Sequence, residues 1–267
     1  MILLIDAGNS RLKAGLLPGD ARRRLPDTTV FDNTNPQALA DWLHALPAKP
    51  ARAAGVNVAG TAHGDIIARL IRQACGCDIE WLPAQAQTLG LRNSYDHPGQ
   101  LGTDRWAAML GILASLPAGH PPFMVASFGT ATTLDTVSGD NVFLGGLILP
   151  GPAMMRAALA RGTANLPMAQ GVAASYPTNT SQAIATGVTA AQAGAVVRQW
   201  LAARTRFGTT PDIYVTGGGW PEVRTEVETL LAQAGAARSV PTGPVYVESP
   251  VLDGLAAWAL QPPRHPE

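Results

Sequence analysis

The sequence predicts an α/β fold of two like-built halves with a cleft between them. Three observations carry that prediction. Strand-like and helix-like segments alternate along the chain. An apolar strand, a glycine-containing polar turn and a second strand occur twice, at 2–17 and at 123–137. Hydrophobic residues make up 46% of the 267 positions and charged residues only 14%, which supplies apolar surface for compact cores and excludes a disordered chain.

Ile2-Leu3-Leu4-Ile5 reads as a buried strand, Asp6-Ala7-Gly8-Asn9-Ser10 as a tight turn with a carboxylate at its tip, and Arg11 to Leu17 as the returning strand. Pro36 to Leu46 is helical in pattern, and Arg52 to Val58 is a short buried strand. Ile66, Ile67, Leu70 and Ile71 space one apolar helical face over Asp65 to Cys75. Trp106, Met109, Leu110 and Leu113 do the same over Asp104 to Ser115, with Thr103 as the N-cap. Pro117 to Pro122 is a linker, which divides the chain into 1–118 and 119–267.

The second half opens with the strand Phe123 to Ala126, the turn Ser127 to Thr133, and an apolar continuation through Val137. Laying Asp6 on Ser127 places Gly8 on Gly129, Asn9 on Thr130 and Ser10 on Ala131, the mark of an internal duplication. Gly145 to Gly151 is a strand ending in a turn, and Ala153 to Ala160 a helix. A long helix runs from Ser181 to Thr205, with Ala183, Gly187, Ala191 and Gly194 suited to close backbone approach. The strand Ile213 to Val215 empties into Thr216-Gly217-Gly218-Gly219 and a helix opened by Pro221.

Nineteen Lys plus Arg balance nineteen Asp plus Glu, so no basic field attracts nucleic acid nonspecifically. Cys75 and Cys77 are too few and too close to staple a secreted scaffold, which points to a reducing cytoplasm. The apolar start lacks a basic n-region and stops at Asp6, unlike a signal peptide. No apolar run approaches the ~20 residues of a membrane span.

Asp6, Gly8, Asn9, Ser10, Arg11 and Lys13 together offer a carboxylate for a hydrated metal, unobstructed backbone N–H groups and two cations, the parts that a nucleotide's terminal phosphates require. The same residue types also make an ordinary hairpin turn. Gly129, Thr130, Thr132 and Thr133 offer hydroxyls to phosphate oxygens, or simply form a threonine-rich strand. Two such turns in one chain favour the phosphate role over coincidence. Asp104 in the first turn of a helix answers the macrodipole, whereas Arg105 beside it calls for an anionic partner. Side by side, the two can take a hydroxyl proton and hold an anionic substrate. Gly217 and Gly218 either admit a flat base or turn the chain. Neither a Walker A ending nor a Rossmann glycine pattern is present, and the histidines lack metal-ligand spacing.

These motifs, in this order, resemble the type III pantothenate kinases, also called the Bvg accessory factor family, of the acetate and sugar kinase/Hsp70/actin superfamily. The resemblance rests on Asp6 to Ser10, on Tyr95 ahead of Leu101-Gly102-Thr103-Asp104-Arg105, and on Gly129 to Asp135. It extends through Gly145 to Gly151, Asn179-Thr180, Thr216-Gly217-Gly218 and Leu252-Asp253-Gly254-Leu255.

The resemblance implies two ribonuclease H-like domains (an actin-like ATPase fold), a homodimer with the substrate pocket at its interface, and transfer of the ATP γ-phosphoryl to pantothenate. By the same resemblance, Asp6, Ala7, Gly8, Asn9, Ser10, Arg11, Leu12 and Lys13 form the first phosphate motif. Asp6 would hold Mg²⁺, or a similar divalent ion, through water. Gly129, Thr130, Thr132 and Thr133 form the second motif, and Gly217 and Gly218 belong to the adenosine region. Asp104 is implied as the base and Arg105 as the ligand of the pantothenate carboxylate, with Tyr95, Gly102, Thr103 and Thr180 completing the pocket. By the same resemblance, many relatives carry an aspartate, associated with potassium or ammonium, where this chain has Ser127. The serine keeps an oxygen and loses the charge, so a monovalent cation there is bound more weakly, differently or not at all. A kinase for another small alcohol, or a regulatory accessory protein on the same fold, is the alternative function.

Overall fold

A computed structural model of the chain describes residues 1–168, 171–235 and 243–261. They fold as two units, Met1–Pro117 with the chain from Ser249 onward, and Ala118–Glu248.

In the first unit, β1 (Ile2–Ala7) is buried along its whole length. It lies between β2 (Arg11–Leu17), which pairs antiparallel, and β4 (Arg52–Asn57), which pairs parallel. The strands β3 (Thr29–Asp32) and β5 (Ile79–Trp81) complete the order β3-β2-β1-β4-β5. Helices α1 (Gln37–Ala45) and α2 (Thr61–Cys75) bury Leu39, Leu43, Ile67 and Ile71 in one core with Leu3, Ile5 and Phe31. Gly76, with φ of +73°, ends α2 in the left-handed cap that glycine adopts without strain. A short hairpin, β6 (Gln87–Thr88) and β7 (Leu91–Asn93), precedes α3 (Thr103–Ser115).

The second unit repeats the plan. Its strands β8 (Phe123–Phe128), β9 (Ala131–Val137) and β10 (Val142–Pro150) form an antiparallel meander. Helices α4 (Pro152–Gly162) and α5 (Thr180–Phe207) follow, then β11 (Asp212–Thr216), α6 (Trp220–Gln233) and β12 (Val245–Tyr246). The strand β11 pairs parallel with both β8 and β12, which gives β12-β11-β8-β9-β10. These five strands match the five of the first unit in order, so the duplication seen in the hairpins extends beyond them. Phe128, Val196, Trp200, Val215 and Val223 anchor the second core.

Three sequence expectations change, and the facing of α5, which the sequence left open, is settled. A division at 118/119 misses α7 (Pro250–Ala259), which returns to the first unit and packs against α3. The helices meet at two glycines: a Cβ on Gly254 would strike Ala107 O, and one on Gly111 would strike Pro250 O. The helix α2 starts at Thr61 rather than Asp65, and Ile66 is exposed while Gly64 takes a buried place on its inner face. The cap of α3 is Gly102, not Thr103. On α5 the small residues Ala183, Gly187, Ala191 and Gly194 face outward, because Ile184, Val188, Val196 and Trp200 take the buried face. Among the described residues, no helix is long and apolar enough to cross a membrane.

Backbone atoms confront both crossing-point glycines, and backbone cannot swing aside as a side chain can. Gly254→Ala is therefore expected to lower unfolding stability by about 1–3 kcal/mol, read as a shift in the urea midpoint at unchanged slope.

Candidate active site

Asp6 is not at the tip of the first turn. It is inside β1, 8% exposed, directly across the ladder from Lys13. Burial pushes its carboxyl up to about 6, Lys13 opposes that rise, and the negative charge of Asp104 adds to it. The two carboxylates therefore lie within electrostatic reach inside one unit. The turn itself is Gly8-Asn9-Ser10, closed by the Gly8 N–H donating to Arg11 O at 3.1 Å. Asn9, Ser10 and Arg11 are exposed, whereas Ala7 and Leu12 are buried and leave only main chain for a ligand.

Asp104 occupies the first turn of α3, and its Oδ1 accepts the Arg105 N–H at 2.8 Å. Burial raises the Asp104 pKa; the Arg105 N–H bond and the Arg105 charge oppose it. A Cβ on Gly102 would lie 2.7 Å from Asp104 Oδ1, so glycine leaves the space that this carboxylate occupies. Thr103 Oγ1 is buried without a hydrogen-bond partner among the described residues. The Arg105 side chain is buried, and its guanidinium donates to Tyr95 Oη at 3.2 Å. Tyr95 is placed by an Asx turn in which its N–H donates to Asn93 Oδ1 at 3.0 Å. Trp106 Nε1 donates to Thr88 Oγ1 at 3.3 Å and ties α3 to the β6–β7 hairpin. The structure thus gathers Asp6, Lys13 and Asp104, and joins Arg105 to Tyr95.

In the second unit the turn is one residue shorter, Gly129-Thr130, closed by Gly129 N–H to Ala131 O at 3.1 Å. Ser127 pairs with Thr133 as Asp6 pairs with Lys13. The ungapped correspondence therefore holds through Gly129 and slips at Ala131, which matches Arg11 rather than Ser10. Gly129 and Thr130 are exposed and Thr133 half-buried, but Thr132 is fully buried, with its Oγ1 lacking a partner among the described residues. Gly217, at φ +97°, lies against the Phe128 backbone, and the Gly219 N–H donates to Phe128 O at 2.9 Å. Those two glycines serve chain packing. Gly218 has open space where a side chain would be. Thr180 is exposed at the start of α5, behind the cap that Asn179 Oδ1 makes by accepting the Gln182 N–H.

Gly151 was not legible as a site residue. Its N–H donates to Thr130 O at 3.0 Å, and a Cβ would collide with Gly129 O and Thr130 O. The sequence signal was a glycine between Pro150 and Pro152 at a strand-to-helix junction, with nothing to show that it touches a turn twenty residues earlier.

Among the described residues, no group of three or more His, Cys, Asp or Glu side chains is placed to hold a metal ion. A buried aspartate beside a second carboxylate nevertheless fits Mg²⁺, which accepts one or two carboxylates and takes its other oxygens from water and phosphate.

Paired sheets of one topology, each carrying a glycine turn after its first strand, define a two-domain actin-like ATPase fold. Solved structures with that fold include a PilM-PilN type IV pilus biogenesis complex (TM-score 0.58, 12% identity, 98% of this chain and 99% of that one). A glucokinase from an Antarctic psychrotroph aligns with TM-score 0.50 at 12% identity, over 97% and 99% of the two chains. The chain belongs to the type III pantothenate kinase family, whose model matches residues 2–202. It is 62% identical to the Type III pantothenate kinase of Bordetella pertussis over 98% of both chains.

Folding retains the Asp6 proton to about pH 6, against 3.8 for the ordinary group. In the unliganded protein this contribution to stability is complete below the lower value and is lost as pH rises through the higher one. Asp6→Asn is expected to stabilise the unliganded chain by about 1–3 kcal/mol at pH 7.5. The gain should disappear towards pH 4, as thermal melts across that range would show.

Proposed function

We propose that Asp104 takes the proton from the pantothenate hydroxyl as this type III pantothenate kinase transfers the γ-phosphoryl of ATP to it, the first step of coenzyme A biosynthesis. The observation that carries this role is a half-buried Asp104 carboxylate within electrostatic reach of Asp6 and next to the Arg105–Tyr95 pair. Burial raises the basicity of Asp104, as a general base requires, while Arg105 keeps the ionised form accessible.

The buried guanidinium of Arg105 receives the pantothenate carboxylate, with Tyr95 fixing its orientation. Gly102 and Thr103 complete the pocket, with Thr180 supplied across the dimer interface, and the buried Thr103 hydroxyl has hydrogen-bonding capacity to offer. The N–H groups of Asn9 and Ser10 and the Lys13 ammonium bind phosphate oxygens of ATP, as does the exposed Thr130 in its own unit, where Gly129 leaves room for the approach. Gly218 leaves its open face to the nucleoside. Mg²⁺ held at Asp6 through water would neutralise charge on the β- and γ-phosphates. A monovalent ion at Ser127 would meet a neutral oxygen, without the charge that an aspartate supplies. Reaction in the cytoplasm suits the free thiols Cys75 and Cys77.

A homodimer built on α5 is supported by the outward stripe of Ala183, Gly187, Ala191 and Gly194 and by the exposed Met154 and Leu159 on α4. This face carries Thr180 at the helix start. Gly187→Arg is expected to convert the dimer to monomer in light scattering and to raise the KM for pantothenate.

Asp104→Asn retains the shape and removes the base. Turnover is expected to fall about 100-fold or more, with ATP binding retained in titration calorimetry. Near-normal turnover would remove Asp104 from this role.

A further inference from the structure

The segment leaving the third strand of each sheet ends against the hairpin turn of the same unit. In the first unit Arg11 pairs with Asp32, and the next residue, Asn33, donates through Nδ2 to Gly8 O at 2.8 Å and to Asn9 O at 3.1 Å. In the second, Ala131 pairs with Pro150, and the next residue, Gly151, donates its N–H to Thr130 O at 3.0 Å and lies against Gly129 O. Asn33 and Gly151 therefore hold equivalent places, and each grips the turn by its carbonyls. One uses a side-chain amide, the other a main-chain amide.

The geometry has a directional consequence. Across a trans peptide, the carbonyl and the following N–H point to opposite sides. Drawing Gly8 O and Asn9 O onto Asn33 turns the N–H groups of Asn9 and Ser10 away from it, at residues that are exposed. Only an amide donates two bonds from one nitrogen at this reach without bringing a charge. The loop presenting it is held by Asp32 Oδ1, which accepts from Thr34 N at 2.8 Å and from Thr34 Oγ1 at 2.7 Å.

We propose that Asn33 is a positioning residue for ATP, aiming the Asn9 and Ser10 N–H groups at the phosphates by holding the carbonyls of the same peptides. The proposal rests on the first turn being a phosphate site. Asn33→Asp keeps the size of the side chain and replaces two donated bonds with an acceptor facing two carbonyls.

The test measures KM for ATP and for pantothenate, and the melting temperature, of Asn33→Asp beside Lys13→Ala. Asn33→Asp should raise the KM for ATP about tenfold, with pantothenate KM and melting temperature little changed. Asn33→Ser, which keeps one donor, should give a smaller rise in the same direction and serves if the aspartate variant fails to fold. If Lys13→Ala weakens ATP and the Asn33 variants do not, the positioning role is wrong and the phosphate turn stands. If neither set weakens ATP, the turn is not the phosphate site and both fall. Parallel rises in both KM values with a lowered melting temperature would make Asn33 a structural residue and overturn the proposal.

Discussion

Two carboxylates, Asp6 buried and Asp104 half-buried, lie within electrostatic reach in the first unit, and much of the surrounding structure makes that arrangement tolerable. Asp6 enters on the central strand and Asp104 on the first turn of α3, nearly a hundred residues later in the chain. Desolvation favours the protonated form of each, and the charge of Asp104 adds to it at Asp6. Each acid is met by its own cation: Lys13 across the ladder from Asp6, and Arg105 directly after Asp104. Gly102 leaves room for the Asp104 oxygen, and the Gly111–Gly254 crossing lets α7 pack directly on α3. These features give a reactive pair an exact backbone setting at some cost to the stability of the empty protein, the exchange usual in prepared active sites.

The sequence revealed elements whose signal is local. Both hairpins were legible because an apolar run, a glycine turn and another apolar run lie within some fifteen residues, and the helices because their periodicity spans several turns. The edge strands β3, β5 and β12 were not, since two to four residues, most of them exposed or half-buried, carry no usable alternation. The return of α7 depends on a helix crossing that no local pattern encodes. Which way the small residues of α5 face was not legible for a related reason: small residues permit close approach but do not say which face approaches.

The candidate site shows the same divide. Asp104 and Arg105 stood out because a charge of each sign at a helix start is unusual, and Asp6 because it interrupts an apolar strand. Gly151 and Asn33 were silent, because each acts on a turn it reaches only through the pairing of the third strand with the second. Thr103 was misread as a cap. Threonine is a common cap, but Gly102 holds that position and the Asp104 carboxylate meets an N–H of the first turn instead.

Duplication accounts for why these silent residues matter. Each unit needs its hairpin turn held from behind, since an unbraced glycine turn has too much freedom to present N–H groups in one direction. The second unit meets the need with backbone at Gly151, which requires the turn to come so close that no side chain fits. The first unit has one more residue in its turn, and Asn33 spans the added distance with a side-chain amide. Paired positions then diverged in charge: Asp6 and Lys13 on one side, Ser127 and Thr133 on the other. The first unit thereby concentrates the acids and cations, and the second contributes hydroxyls and glycines at the equivalent places. A common scaffold with a brace behind each turn permits this divergence, because the shape of the turn no longer depends on the side chains that face its ligand.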